Sequence, residues 1–345
     1  ALPAAALARQ LERQGDPGAT LSGLSKLADE GHPAVLARLG LAQVRAGQGD
    51  QGEATLQRVI DAGGAADDEA RARAQYGQAE AFHRVFATVQ PGSDAEAAQE
   101  LVTLAELAEQ AYLKAAREGS PVFTAAALGR LATLATTAAA RLKALQVTGV
   151  TAAQAQAIQQ GLAQRAATLE ATARDALAGC AELAWTRQVF AAPVRACLSG
   201  TPPKDDPVTF ERLTPRTPAG NLPALDGLRQ TVSRNPEDLE ALRALGEGLL
   251  DAGDAHAARL AFARAVQAGG GPVEQNLLGI ASWRAGDRTG ALEAFARAAG
   301  GGLEGGRQNL ADGLRQAGLG GAADEAMKRF PVGRPGGRTL GGGAG

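Results

Sequence analysis

Two glycine-rich turns have a spacing that can bind dinucleotide phosphates. Residues 47–52 fit the pattern G-x-G-x-x-G, and residues 318–323 fit its variant that ends in alanine. Such a loop holds a pyrophosphate only where a strand precedes it, because the N-terminus of the next helix must then face the phosphates. Both segments instead follow predicted helices and occupy equivalent turns. We therefore interpret them as turns between helices and expect no bound cofactor.

The three histidines are His32, His83 and His256, and they match neither a zinc-binding motif nor a hydrolase motif. We predict surface or interfacial positions for them and no metal site. Acidic clusters such as residues 67–69 begin predicted helices, where carboxylates favour the helix dipole. No catalytic residue emerges, so we do not expect an enzyme. An enzyme or sensor with a site within residues 65–197 is the least favoured alternative.

Cys180 and Cys197 are the two cysteines, and they flank Pro193, which we predict to end a long helix. If the chain folds back there, the two thiols can form a disulfide in an exported protein, and two buried free thiols are the alternative. The chain begins with Ala1 and its one methionine is Met327. A removed signal peptide would explain this start, and so would trimming. We expect an exported, periplasmic protein, with a cytoplasmic location as the alternative.

The composition excludes several classes of protein. A hydrophobic content of 45% excludes a disordered chain, and the 45 glycines lack the period of three that collagen requires. No apolar run reaches the roughly 18 residues of a membrane span, so we predict none. The net charge of −2 gives no sign of a nucleic-acid partner. With 3% aromatic residues, the core must be built from small side chains between closely spaced helices.

A repeat of 33 residues organises the C-terminal part of the chain. Residues 245–270 align with 278–302, and a weaker copy follows around 310–327. Residues 39–64 align with 245–270 without a gap. Each copy predicts two helices joined by a glycine turn, since glycine ends the first helix and aspartate can cap the second. One such hairpin cannot bury its own apolar face, so the hairpins must stack.

This pattern resembles the tetratricopeptide repeat (TPR) family. The matching positions are Leu245, Gly246, Ala258, Phe262 and Ala265. Asn235-Pro236 resembles the proline junction between repeats, whereas Trp283 lies away from the family's signature tryptophan position. The resemblance implies an all-α fold, a TPR-like α-solenoid of stacked helix hairpins. Long helical stretches in the middle of the chain predict enlarged central hairpins.

The predicted domain organisation has five parts. They are N-terminal TPR-like repeats at 1–64, long-helix hairpins at 65–197, a proline-rich linker or extended loop at 198–223, C-terminal TPR-like repeats at 224–331 and a flexible glycine-rich tail at 332–345. We expect the proline-rich segment to lie against the stacked helices.

The resemblance implies that the first helices of the hairpins line a surface that binds other proteins. The predicted partner-binding residues are Arg243, Glu247, Asn276, Trp283, Arg284 and Arg315. The alternative for Trp283 is packing against the next hairpin. We expect a non-catalytic interaction scaffold or adaptor in a bacterial multiprotein assembly. The other possibility is a permanent structural subunit of a bacterial envelope machine for secretion, motility or cell-wall assembly.

Overall fold

The computed structural model describes residues 4–14, 16–89, 95–208, 211, 213–220, 222–331 and 335–340. Over these residues the regular secondary structure consists of sixteen α-helices and two short 3₁₀ turns, with no strand. The predicted all-α fold of stacked helix hairpins, with enlarged central hairpins, is confirmed. The chain forms two compact units, one of residues 1–187 and 191–210 and the other of residues 188–190 and 211–345.

The described residues of the first unit form nine helices. They are α1 (Ala4–Gln14), α2 (Pro17–Leu27), α3 (Pro33–Arg45), α4 (Gly49–Asp61), α5 (Asp68–Thr88), α6 (Ala95–Ala116), α7 (Pro121–Ala144), α8 (Ala152–Thr186) and α9 (Ala192–Leu198). Local sequence explains several of their starts. The Asp67 carboxylate accepts a hydrogen bond from the Ala70 amide, and Thr151 forms a capping box with Gln154. Pro33 and Pro121 occupy first turns, where no amide donor is needed.

Small side chains let the long central helices approach one another closely. Alanines of α5, α6, α7 and α8 fill most of the core of this unit, around the buried rings of Tyr76, Tyr112 and Phe123. Helix α7 is long and apolar enough to cross a membrane, but 67% of its 18-residue window is buried within the protein. Its apolar character is accounted for by this core position.

In the part of the second unit that the structure describes there are seven helices. They are α10 (Pro223–Arg234), α11 (Leu239–Asp251), α12 (Ala255–Gln267), α13 (Pro272–Arg284), α14 (Arg288–Gly300), α15 (Glu304–Gln316) and α16 (Gly320–Arg329). Helices α11 to α16 form three successive hairpins that follow the 33-residue repeat. The two glycine turns that resemble phosphate loops, at 47–52 and 318–323, each join two helices of a hairpin.

Glycine is required where the two helices of a repeat cross. A Cβ atom on Gly246 would lie 2.6 Å from Cε1 of Phe262, and one on Gly279 would lie 2.4 Å from Cε1 of Phe295. Both phenylalanines are fully buried. Any larger residue would therefore displace the ring that forms the centre of its hairpin.

The proline-rich segment is divided between the two units. Residues 198–208 belong to the first unit, and the described residues of 211–222 belong to the second. In the second unit Arg216 and the amide of Ala219 bind the carboxylate of Asp254, which also caps α12. The hydrogen bonds from Arg216 hold the pKa of Asp254 at about 2, well below its usual range.

The structure differs from the sequence prediction at the end of the long helix. Helix α8 ends at Thr186, and Gln188 adopts a left-handed backbone with φ of 51°. Pro193 does not end α8 but lies in the first turn of α9, where its missing amide donor costs nothing. Residues 1–64 and 65–197, apart from residues 188–190, lie in one compact unit.

Candidate functional site

Two asparagines occupy the same position in successive repeats of the second unit. Asn276 of α13 and Asn309 of α15 are 33 residues apart, and both lie on the first helix of their hairpin. Their side chains are almost completely buried, and Nδ2 of Asn309 donates to Oδ1 of Asn276 over 2.8 Å. We call the surface formed by α11, α13 and α15 the inner face of the second unit.

An extended stretch of the chain lies on this inner face. We call residues 335–340 the tail segment. The carbonyl of Arg338 accepts a hydrogen bond from Nδ2 of Asn276 at 2.8 Å and another from Nδ2 of Asn309 at 2.9 Å. The amide of Leu340 donates to Oδ1 of Asn309 over 2.8 Å. The two asparagines thus bind the main chain of the tail segment, and their side-chain amides supply both donors and acceptors.

Further contacts fix the direction of the tail segment and favour particular residue types at its positions. The Gly305 amide donates to the carbonyl of Gly336 over 3.0 Å, and the Arg338 guanidinium pairs with Asp251 of α11 over 2.8 Å. Gly336 and Gly337 have φ values of 123° and 97°, a region that favours glycine. A Cβ atom on Gly337 would lie 3.2 Å from Cδ2 of Leu303.

The sequence predicts a flexible tail at 332–345, and the structure differs for its central part. Residues 335–340 are held by the hydrogen bonds of Asn276 and Asn309, which the glycine-rich composition alone does not reveal. Residues 332–334 and 341–345 lie outside the described part of the chain.

Of the six predicted partner-binding residues, Asn276 contacts the tail segment directly. Arg243, one repeat earlier, forms an ion pair with the buried Glu274, whose carboxylate also accepts from the Gly271 amide. Glu247 is half-buried on α11. Arg243, Glu247 and Asn276 all lie on first helices of their hairpins, and their role in binding a partner stays a prediction.

The other three predicted residues lie nearer the ends of their helices. The ring of Trp283 packs against Gly313 of α15 and under the guanidinium of Arg288, 3.8 Å from the ring centroid. Trp283 therefore packs against the next hairpin, which is the alternative given for it above. Arg284 is exposed, and Arg315 is exposed and paired with Asp312.

Sequence reasoning missed Asn309 and Asp251. Asn309 could have been found, because it stands 33 residues after Asn276 and therefore at the same position in the next repeat. Asp251 gives no comparable signal, since its role depends on Arg338, which is 87 residues later in the sequence.

The inner helices of the first unit, α3, α5 and α7, also carry an extended stretch of chain, residues 202–208. Asp206 accepts hydrogen bonds from Nε of Arg45 and from the hydroxyl of Tyr76, both over 2.7 Å. Thr133 and Arg130 donate to the carbonyls of residues 203 and 204. The sequence predicts that the proline-rich region lies against the stacked helices, and residues 202–208 have this placement.

A buried polar cluster lies beneath residues 202–208. The carboxylate of Glu80 binds the guanidinium of Arg130 and accepts from the hydroxyl of Tyr112. Since that hydroxyl donates its one hydrogen to Glu80, Nδ1 of His83 must be the donor in its 2.8 Å contact with Tyr112. Burial, together with the charge of Arg130, lowers the pKa of His83 to about 3. Burial also raises the pKa of Tyr112, and Glu80 adds to this effect.

This cluster is an internally satisfied network. Although burial opposes the charge of Arg130, the carboxylate of Glu80 outweighs it and raises the pKa of that guanidinium. Among the described residues, no three histidine, cysteine, aspartate or glutamate side chains are grouped so as to hold a metal ion. His32 caps α3 through Nδ1, and His256 bonds to the carbonyl of Thr214.

A disulfide joins Cys180 of α8 to Cys197 of α9, with a Cα–Cα distance of 5.9 Å. Helix α9 packs against α7 and α8, and the chain leaves α9 directly towards residues 202–208. The bond therefore fixes the point from which that stretch departs across the inner helices.

Comparison with known proteins identifies no family. No family model matches the chain, and no curated protein matches it. Among solved structures, the chain is similar to one described as the crystal structure of the APC/C hetero-tetramer Cut9-Hcn1. The identity is 12%, the match covers 93% of this chain and 70% of that chain, and the TM-score is 0.28. The description of the fold therefore rests on the helix hairpins themselves.

Proposed function

We propose that the protein is a non-catalytic interaction scaffold that binds an extended segment of a partner protein on the inner face of its second unit. The observation that carries the proposal is the pair Asn276 and Asn309, which hold two main-chain atoms of an extended segment by three hydrogen bonds. Stacked helix hairpins can repeat one side chain along a surface at fixed spacing, and such a series suits an extended ligand.

The physical basis is the burial of the two amides. Each asparagine would lose hydrogen bonds to water if its groove were filled without compensation, so an occupant must supply main-chain donors and acceptors. Main-chain contacts provide affinity for any extended chain, whereas side-chain contacts provide selectivity. Asp251 at the edge of the face favours a basic residue in the partner.

A second candidate is a permanent structural subunit of an exported assembly, such as a bacterial envelope machine. The Cys180–Cys197 disulfide favours it, because structural disulfides persist in oxidising compartments. A permanent subunit would not exchange its partner, so dissociation measured after dilution of the purified complex separates it from an adaptor.

The test is affinity capture with crosslinking from the cells that produce the protein, followed by quantitative mass spectrometry. We expect Asn276→Ala/Asn309→Ala to lose the partners that the unmodified chain captures. Gln308→Ala is the matched control, because it removes an exposed amide from the same helix as Asn309. Retention of every partner by the double variant would contradict the assignment of the inner face.

The same experiment can weigh the predicted residues that lie outside the tail contacts. Trp283→Ala/Arg284→Ala changes the face near the helix ends, where the structure already gives Trp283 an internal partner. If the binding site extends that far, this pair also weakens capture, and if it does not, capture is preserved.

A further inference from the structure

We infer that the tail segment is an intramolecular ligand that occupies the inner face of the second unit, and that a partner segment with the sequence Gly-Gly-Arg must displace it. The inference rests on the proposed function, because it concerns the same site. It goes further by naming the regulation of that site and the chemistry of the competing partner.

The tail segment is held mainly through its main-chain atoms, which every peptide has. Asn276 and Asn309 bind the carbonyl of residue 338 and the amide of residue 340, which are main-chain atoms. The Gly305 amide likewise binds the carbonyl of residue 336. A second peptide can therefore satisfy the same groups, but only after the tail segment has left.

Two adjacent glycines let the tail segment approach the receiving helix closely. Gly336 and Gly337 both have positive φ values that side chains rarely adopt, and a Cβ on Gly337 would press on Leu303. A Cβ on Gly305 of the receiving helix would lie 2.9 Å from the carbonyl oxygens of Gly336 and Gly337. The close approach thus needs glycine on both sides, and a competitor must offer two adjacent glycines.

The tail segment also carries a positive charge that pairs with an aspartate of the inner face. Arg338 is mostly covered, but the side chain of Asp251 is 62% exposed, and an ion pair with one exposed partner is a weak anchor. Selectivity for a basic residue after the two glycines follows from this pair. The weakness of the anchor leaves the tail segment displaceable.

Competition within one chain has a predictable size. A segment joined to its site by a short connection has an effective concentration of about 1 mM. If the tail segment itself binds the open site with a Kd of about 0.1 mM, it raises the apparent Kd of a competing peptide about tenfold. The tail segment therefore excludes weakly binding ligands, whereas a ligand of higher affinity can displace it.

The experiment titrates a fluorescein-labelled peptide, Pro-Gly-Gly-Arg-Thr-Leu, against the full chain. The tail-released variant is Gly337→Val/Arg338→Glu, which places valine at a positive φ and repels Asp251. Lys328→Glu is the charge-matched control, since it lies exposed on α16 outside the tail contacts. We expect the tail-released variant to bind the peptide about tenfold or more tightly than the unmodified chain and the control.

Two outcomes would overturn the inference, and they are distinguishable. Equal, saturable binding by all three proteins would show that the tail segment does not compete, and the proposed function would stand. No binding by the tail-released variant, with its melting temperature unchanged, would remove both the inference and the proposed function. A peptide with glutamate in place of arginine should bind more weakly, and equal affinity would overturn the selectivity.

Hydrogen exchange then shows which chain supplies the occupant. In the unmodified protein we expect the amides of residues 336–340 to be protected equally at two protein concentrations that differ tenfold. Protection that rises with concentration would show that the tail segment of a second copy fills the site, and it would contradict the intramolecular assignment.

Discussion

At the scale of single residues, the structure compensates almost every polar group that it buries. His83, Tyr112 and Glu80 form one chain of hydrogen bonds, and Arg130 neutralises its end. Asn276 and Asn309 are compensated by main-chain atoms of the tail segment. The two sites differ in what satisfies their polar groups. In the His83 network the partners are other buried side chains, whereas the partner of the two asparagines is a segment that can leave.

The buried histidine predicts a dependence of stability on pH. In the folded protein the pKa of His83 is about 3, below its ordinary value of 6.5, so the unfolded chain binds the proton more readily. The free energy of unfolding that comes from His83 is complete above pH 6.5. It should fall by roughly 1 kcal/mol per pH unit as the pH drops towards 3.

The measurement is urea unfolding between pH 4 and 7 for the unmodified chain and for His83→Gln. Glutamine can still donate to Tyr112 but does not titrate, so its pH dependence should be shallower. Identical slopes for the two proteins would contradict the assignment of a neutral, buried His83.

At the scale of helices and turns, much of the architecture could be predicted from sequence. The 33-residue recurrence predicted the hairpins of α11 to α16, because paired helices joined by a glycine turn follow from local spacing. The sequence also predicted long helical stretches in the middle of the chain, and the structure has them in α5 (Asp68–Thr88) and α8 (Ala152–Thr186).

The parts that could not be predicted depend on contacts between distant residues. Arg45 binds Asp206 across 161 positions, and Arg338 binds Asp251 across 87. Proline-rich and glycine-rich segments carry no periodic pattern, so their placement is set by the surfaces that receive them. Helix α9 is short and begins at a proline-containing turn, and it was therefore missed.

The crossing glycines predict opposite effects for two alanine substitutions. Gly279→Ala places a Cβ 2.4 Å from Phe295 and should lower the free energy of unfolding by about 1–3 kcal/mol. Gly227→Ala is the matched control on α10, where nothing lies within 4 Å of the added atom. It should raise stability by up to about 1 kcal/mol through helix propensity. Chemical denaturation of both variants checks this, and equal effects would contradict the close crossing.

The disulfide predicts a local effect on residues 199–208. Removing the bond by Cys180→Ala or Cys197→Ala should cost about 3 kcal/mol of stability, as expected for a closed loop of this length. Hydrogen exchange in 199–208 should increase at the same time. Either single substitution already removes the disulfide, so the double variant should lose little more stability than a single variant. Unchanged exchange in that stretch would show that α9 is held without the bond.

At the scale of the whole molecule, each of the two units covers its inner helices with an extended stretch of its own chain. In the first unit residues 202–208 are held through the carboxylate of Asp206 and through the main-chain carbonyls of residues 203, 204 and 208, with the disulfide behind them. In the second unit the tail segment is held mainly through its main chain. We infer that the first arrangement is structural and that the second is the site of partner exchange.

The most direct test of this account is the Kd of the labelled peptide for the tail-released variant, with and without Asn309→Ala. Asn309 makes two hydrogen bonds to the segment and also orients Asn276, so its loss should raise the Kd about tenfold or more. An unchanged Kd would contradict the claim that the asparagines of the inner face bind an extended main chain.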